Sequence, residues 1–185
     1  LAPRVGAAKD ARPLDELKAL RNPAVILILL VGAVGFGGLF AVYSYLSAAI
    51  LATAQPPGWA VPVMLSSFGI GGTLGSIYSA RLTIRYGTWR AALGLMLFMA
   101  LTQAFAAWAV GDWGWMLLSA FLLGLGSGMV VPLQTRLMDV AGRAQSMAAA
   151  MNHAAFNAAN ALGPWLAGLA LAAGWGWRSS GVVAV

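Results

Sequence analysis

From Pro23 to Ala80 the chain carries no charged residue, and the one break in that stretch is Gln55-Pro56-Pro57-Gly58. A Pro-Pro-Gly run is a strong turn signal. It divides the stretch into two apolar spans, about 24–52 and 59–80. Each exceeds the roughly 20 residues that a helix needs to cross the hydrocarbon core of a bilayer. A chain of 185 residues offers a water-soluble fold too little polar surface to cover two such segments. The bilayer removes that requirement, because there the outer surface is free to be apolar.

The same pattern continues. A third span runs about 91–110, between Arg90 and Asp112, and a fourth about 114–135. A fifth runs about 146–173, after Arg143 and before Gly174-Trp175-Gly176, and a fresh apolar stretch begins at Gly181. Lipid offers backbone groups no hydrogen-bond partner, and the runs are too long for barrel strands, so each is expected to be a helix. The expected fold is an all-α integral membrane protein with five transmembrane helices plus the start of a sixth. Residues 1–22 are expected as a cytoplasmic loop and residues 23–185 as one transmembrane bundle. Within the loop, Asp15 to Leu20 could form a short amphipathic helix, and Pro23 suits the first turn of the first span. The chain opens on Leu1 and closes within an apolar stretch, which reads as a segment of a longer protein.

The positive charges set the expected orientation. Ten of the eleven Lys and Arg lie in the lead, in the link after the second span (Arg81, Arg85, Arg90) and in the link after the fourth (Arg136, Arg143). The links after the first and third spans hold none, and the link after the fifth holds Arg178. Cytoplasmic loops carry the excess of Lys and Arg, so the lead is expected inside, with the sides alternating thereafter. Trp113, Trp115, Trp175 and Trp177 then fall at outer ends and read as interfacial anchors. The formal net charge of +6 is absorbed by this orientation signal and calls for no nucleic-acid partner. With 61% hydrophobic and only 9% charged residues, against roughly 25% charged in soluble domains, the composition agrees. No cysteine and a single histidine leave no disulfide, no metal constellation and no cofactor site, and no catalytic group set is visible.

Glycines mark close helix packing: Gly71, Gly72 and Gly75 in the second span, and Gly124, Gly126 and Gly128 in the fourth. Moving hinges are the alternative. Pro132 is expected to kink the fourth span. In the first span Phe36, Phe40, Tyr43 and Ser47 fall at i, i+4, i+7 and i+11 on one helical face. That face suits an apolar or amphipathic ligand that needs stacking and a few hydrogen bonds, or it is ordinary packing. The fifth span holds Asn152, His153, Asn157 and Asn160 within one sector. Polar groups in a span face protein or water rather than lipid. They read either as interhelical hydrogen-bonding glue or as part of a substrate or proton path.

Gly75-Ser-Ile-Tyr-Ser-Ala-Arg81-Leu-Thr-Ile84-Arg85-Tyr-Gly87-Thr-Trp-Arg90 resembles the cytoplasmic-loop motif of major facilitator transporters, G-x-x-x-D-R-x-G-R-[RK]. Arg85, Gly87 and Arg90 match, Ile84 replaces the usual Asp, and Thr88 replaces an Arg. Pro132-Leu-Gln134-Thr-Arg136-Leu-Met-Asp139-Val-Ala-Gly142, with Asn152-His153-Ala-Ala-Phe156-Asn157-Ala-Ala-Asn160-Ala-Leu-Gly163, is similar to the link and eleventh helix of bacterial drug:proton antiporters. Gly35 to Tyr45 resembles their seventh helix. The group is that of the chloramphenicol-resistance and arabinose-efflux-like exporters. The resemblance implies one incomplete six-helix bundle of the major facilitator fold, the C-terminal half of a transporter in the bacterial inner membrane. The lead would be its central cytoplasmic loop, and an N-terminal six-helix half would be its partner. It further implies proton-coupled efflux of a small organic molecule by alternating access. A small non-transporting scaffold or assembly subunit is the second reading.

Overall fold

The computed structural model describes residues 22–142 and 144–185. The lead's five basic residues, the possible helix at Asp15 to Leu20, and Arg143 lie outside the described residues.

Among the described residues seven helices follow one another: α1 Pro23–Thr53, α2 Ala60–Tyr86, α3 Thr88–Ala109, α4 Trp113–Ser127, α5 Val130–Ala141, α6 Gln145–Ala172 and α7 Ser179–Ala184. By length and composition four helical stretches among the described residues suit a membrane crossing: Pro23–Thr53, Ala60–Tyr86, Thr88–Ala109 and Trp113–Ala141, the last combining α4 and α5. At 28 residues α6 has the length, and it carries Asn152, His153, Asn157 and Asn160 within its run.

Two stretches differ from the sequence expectation for clear physical reasons. Arg81 to Arg90 is not an open loop. The α2 helix continues through Arg81 and Arg85 to Tyr86, and α3 begins at Thr88, so Gly87 alone is the link. Its φ of +83° lies in the region that glycine enters without steric cost, which allows so abrupt a reversal. In the fourth span the break falls at Gly128–Met129, one turn ahead of Pro132. Proline has no N–H to give the carbonyl four residues back. The Gly128 carbonyl is met instead by Val131 N–H at 3.1 Å, and Gly126 by Met129 N–H at 3.0 Å, a tighter local winding. Pro164 similarly lies inside α6 and withholds a donor from the Asn160 carbonyl.

The core forms two clusters at opposite ends of the bundle. One gathers Leu39, Val42, Leu46 and Ile50 of α1 with Met64 of α2, Met99 and Ala106 of α3, and Met116 and Leu123 of α4. The other gathers Val25, Ile28 and Phe36 of α1 with Leu95 of α3, Met129, Leu133 and Leu137 at α5, and Ala148 and Ala159 of α6. At the first end four tryptophans collect: Trp59 meets Trp113 edge-on at 5.4 Å, and Trp108 meets Trp115 at 5.9 Å. Arg81, Arg85, Arg90 and Arg136 lie exposed at the other end. There Asn22 caps α1 by accepting from Ala24 N–H at 3.0 Å, and its amide donates to the Val140 carbonyl at 3.1 Å. One side chain thus ends α1 and ties it to α5.

Candidate functional site

The α1 row is drawn into the bundle. Phe36 is buried, and its ring stands 4.4 Å from that of Phe156 on α6. Phe40 lies 6.3 Å further along α1. Tyr43 packs at 4.3 Å on Phe68 of α2. The row therefore bridges α6 to α2, with Phe40, Tyr43 and Ser47 half-buried.

The polar stripe of α6 divides. Asn152 faces inward and is 6% exposed. His153, Asn157 and Asn160, at i, i+4 and i+7, share an exposed face. Phe156 sits between the two groups and carries the contact to α1. None of these four polar side chains hydrogen-bonds to another described residue. The structure thus brings Phe36 onto α6 but does not bring the exposed amides onto the aromatic row. Among the described residues one cleft opens between α2 and α3 and another between α1, α6 and α7, and none of the eight residues lines either.

Below this level α1 and α6 touch backbone to backbone. A Cβ at Gly163 would overlap the Gly37 carbonyl. From about two turns further along α1, Tyr45 reaches back to donate its hydroxyl to the Pro164 carbonyl, next to Gly163, at 3.1 Å.

The motif residues take a structural position. Gly75 is pressed against the backbone of Leu125. Arg81, Arg85 and Arg90 are exposed, and the Arg85 guanidinium lies over the Tyr86 ring at 5.3 Å. Among the described residues no arginine forms an ion pair. The acidic residues described are Asp112, which caps α4 through Trp115 N–H, and Asp139 on α5. With Ile84 in the place of the motif's Asp, no carboxylate stands beside these arginines on α2.

Sequence reasoning missed Gln103. It is 2% exposed in the middle of α3. With the amide oriented by its neighbours, its nitrogen donates to the Ala184 carbonyl at 2.7 Å and its oxygen accepts from Leu39 N–H at 2.9 Å. One amide thereby joins α3 to α1 and α7. The signal was available: a lone glutamine in an apolar span must find a protein partner.

This architecture defines a multi-pass membrane protein built as a packed helical bundle. The chain belongs to the Major Facilitator Superfamily, whose sequence profile matches residues 25–185. It is 31% identical over 176 residues to the inner membrane transport protein YdhP of Escherichia coli (strain K12), covering 95% of this chain and 45% of that protein. It is 31% identical over 169 residues to the MFS-type transporter YtbD of Bacillus subtilis (strain 168), covering 84% and 40%. It is 27% identical over 161 residues to the putative transporter AraJ of Escherichia coli (strain K12), covering 86% and 41%. The chain spans less than half the length of these curated relatives. No solved structure gives a significant match.

Proposed function

We propose that this chain is the C-terminal half of a secondary active transporter that exports a small organic molecule in exchange for protons by alternating access. Residues 1–22 then serve as the central cytoplasmic loop, residues 23–185 as the second bundle, and the inner membrane as the site of action. The observation that carries this reading is the exposed face of α6. His153, Asn157 and Asn160 present hydrogen-bonding groups outward from a membrane helix without a partner among the described residues. Such groups are costly against hydrocarbon. A second bundle, or a water-filled path between two bundles, satisfies them. The relatives, more than twice as long, have room for that second bundle. The aromatic row on α1, with Tyr43 and Ser47 half-buried, supplies stacking and hydroxyl groups for an amphipathic substrate. A helical bundle without charged residues in the described core leaves the proton carrier to the other half. In this reading the protein is no enzyme and needs no cofactor.

The test is a resistance and uptake panel on the full-length protein, with and without a proton gradient. Export that collapses with the gradient is expected, and Asn157→Leu or Asn160→Leu should reduce it while leaving the melting temperature of the bundle unchanged. Export that survives loss of the gradient would rule out proton exchange, and no export of any compound tested would turn the reading toward a scaffold. The orientation is checked with single cysteines at Pro57 and Thr88 in intact cells. An impermeant reagent should label residue 57 only, and labelling at residue 88 alone would invert the topology.

A further inference from the structure

A cleft of about 410 Å³ opens between α2 and α3, at the end of the bundle where the arginines lie. Gly75, Tyr78, Tyr86, Gly94 and Phe98 are among its walls, and Arg90 stands at its mouth. Its floor is Leu125 of α4, against whose backbone Gly75 is pressed. Gly94 widens it, since a Cβ there would meet nothing within 4 Å. From Arg90 to Phe98 the cleft follows α3 for about 12 Å at the helical rise. Both flanking helices are long and apolar enough to cross a membrane, so the walls lie at the depth of acyl chains.

The mouth is cationic and uncompensated. Arg90 and Arg85 are exposed, Arg85 lies over the Tyr86 ring that helps line the cleft, and neither forms an ion pair among the described residues. We propose that this cleft takes an acyl chain of an anionic phospholipid whose phosphate pairs with Arg90. The chemistry matches at both ends. An apolar trough open to the bilayer accepts a hydrocarbon chain, and arginine's planar fork suits a phosphate oxygen pair. A lipid with net negative charge is favoured over a zwitterionic one, because the latter brings its own cation to the arginine pair. Tyr86, next to the Arg90 end of the cleft, stands where chain gives way to headgroup, the level at which such rings settle, while Tyr78 lies about two turns deeper along α2.

The experiment uses the protein in nanodiscs of phosphatidylcholine doped with a phosphatidylglycerol that carries a photoreactive group near the end of one acyl chain. Crosslinks should concentrate in residues 75–98. Arg90→Gln should lower them about fivefold, the typical weight of one surface arginine toward anionic lipid. Gly94→Leu, which fills open space and keeps both arginines, should abolish them. A phosphatidylcholine probe should label the segment weakly in the native protein and be unaffected by Arg90→Gln. Excess soluble glycerol phosphate should leave the labelling intact. Equal labelling by the two lipids, labelling unchanged in Gly94→Leu, or displacement by glycerol phosphate alone would each overturn the proposal. Arg90→Gln changes an exposed side chain, so it reads out the charge preference even if Gly94→Leu lowers the yield of folded protein.

Discussion

Two seams hold this bundle together, and they are built differently. Along α2 and α4 the contact is a run of backbone approaches. A Cβ on Gly71, Gly75, Gly124 or Gly128 would overlap backbone of the facing helix. The two pairs, Gly71 with Gly75 and Gly124 with Gly128, are each spaced by four residues, so both helices present one small ridge over more than a turn. Between α1 and α6 the backbones meet at Gly37 and Gly163. On either side of that point the contact passes to side chains, Phe36 on Phe156 and Tyr45 on the Pro164 carbonyl. A ridge fixed at several points cannot tilt without separating everywhere. A seam with one close point and soft contacts around it can pivot there, next to the proline that already interrupts α6. The unpartnered amides lie on α6, the helix of the second seam. The comparison teaches that this bundle pairs a rigid strut with an adaptable contact, and that the polar face belongs to the adaptable one.

The largest effect is expected on the strut. Gly124→Ala would drive a methyl into the Phe68 carbonyl and Gly71→Ala into that of Phe121. Each should cost about 2–3 kcal/mol, the upper part of the range for overpacking, because backbone rather than a movable side chain is in the way. The double variant should cost less than the sum, since the first substitution already separates the helices for the second. Thermal unfolding of the purified protein measures this. Melting temperatures unchanged by both single variants would break the strut half of the comparison.

The pivot should be one-sided. Gly163→Ala meets the Gly37 carbonyl, whereas a Cβ at Gly37 would stand 3.9 Å from the Ala159 carbonyl, an ordinary contact. Gly163→Ala should therefore destabilise by about 1–2 kcal/mol, below the strut variants because a tilt at one point relieves it. Gly37→Ala should be neutral, or stabilising by up to about 1 kcal/mol from helix propensity. Equal penalties at the two positions would mean that the seam is as closely fitted as the strut.

Gln103 sharpens the picture from α1's other side. Its amide holds α1 and α7 to α3 with bonds of 2.9 and 2.7 Å. This tie leaves the α6 side as the free direction for movement of α1. Gln103→Leu should cost about 1 kcal/mol, since hydrogen bonds between membrane helices average near 0.6 kcal/mol apiece. It should also raise deuterium exchange at the C-terminal residues of α7. Unchanged exchange there would show that packing alone docks α7.

Much of this architecture was legible in the sequence, and the reasons differ between its parts. Charge-free runs and the Pro-Pro-Gly break mark helices because lipid admits few alternatives. Helix ends were read less well. The stretch from Arg81 to Arg90 was expected as a link on the strength of its charges, yet arginine is a good helix former and its long side chain reaches water from the last turns of a helix. The glycine spacing announced close packing but could not name the facing helix, a property of the folded bundle. Residue type placed the α1 row and the α6 stripe on faces. It could not show that Asn152 turns inward while Asn157 and Asn160 turn outward, because the direction of a face depends on neighbours far along the chain. Gln103 was overlooked for standing alone, although its isolation in an apolar span was itself the clue.

The smallest effect tests the soft part of the pivot and is read by its sign. Tyr45 donates to the Pro164 carbonyl at 3.1 Å. Its hydroxyl oxygen would lie 2.6 Å from a Cβ placed on Gly168, while the ring carbon that bears it would lie 3.7 Å away. Tyr45→Phe removes the bond and should cost about 0.6 kcal/mol. Gly168→Ala in the native background pushes the hydroxyl off its acceptor, so the propensity gain of alanine is offset by the displaced bond and the net change should be near zero or unfavourable. With Tyr45→Phe already in place, the obstructing oxygen is gone and the remaining 3.7 Å separation is an ordinary contact. Gly168→Ala should then stabilise by about 0.4–1 kcal/mol, as alanine does in a compatible helix position. A four-member cycle of melting measurements gives the coupling directly. If Gly168→Ala has the same effect in both backgrounds, Tyr45 does not bear on α6 at this point, and the pivot rests on Gly37, Gly163 and the Phe36–Phe156 contact alone.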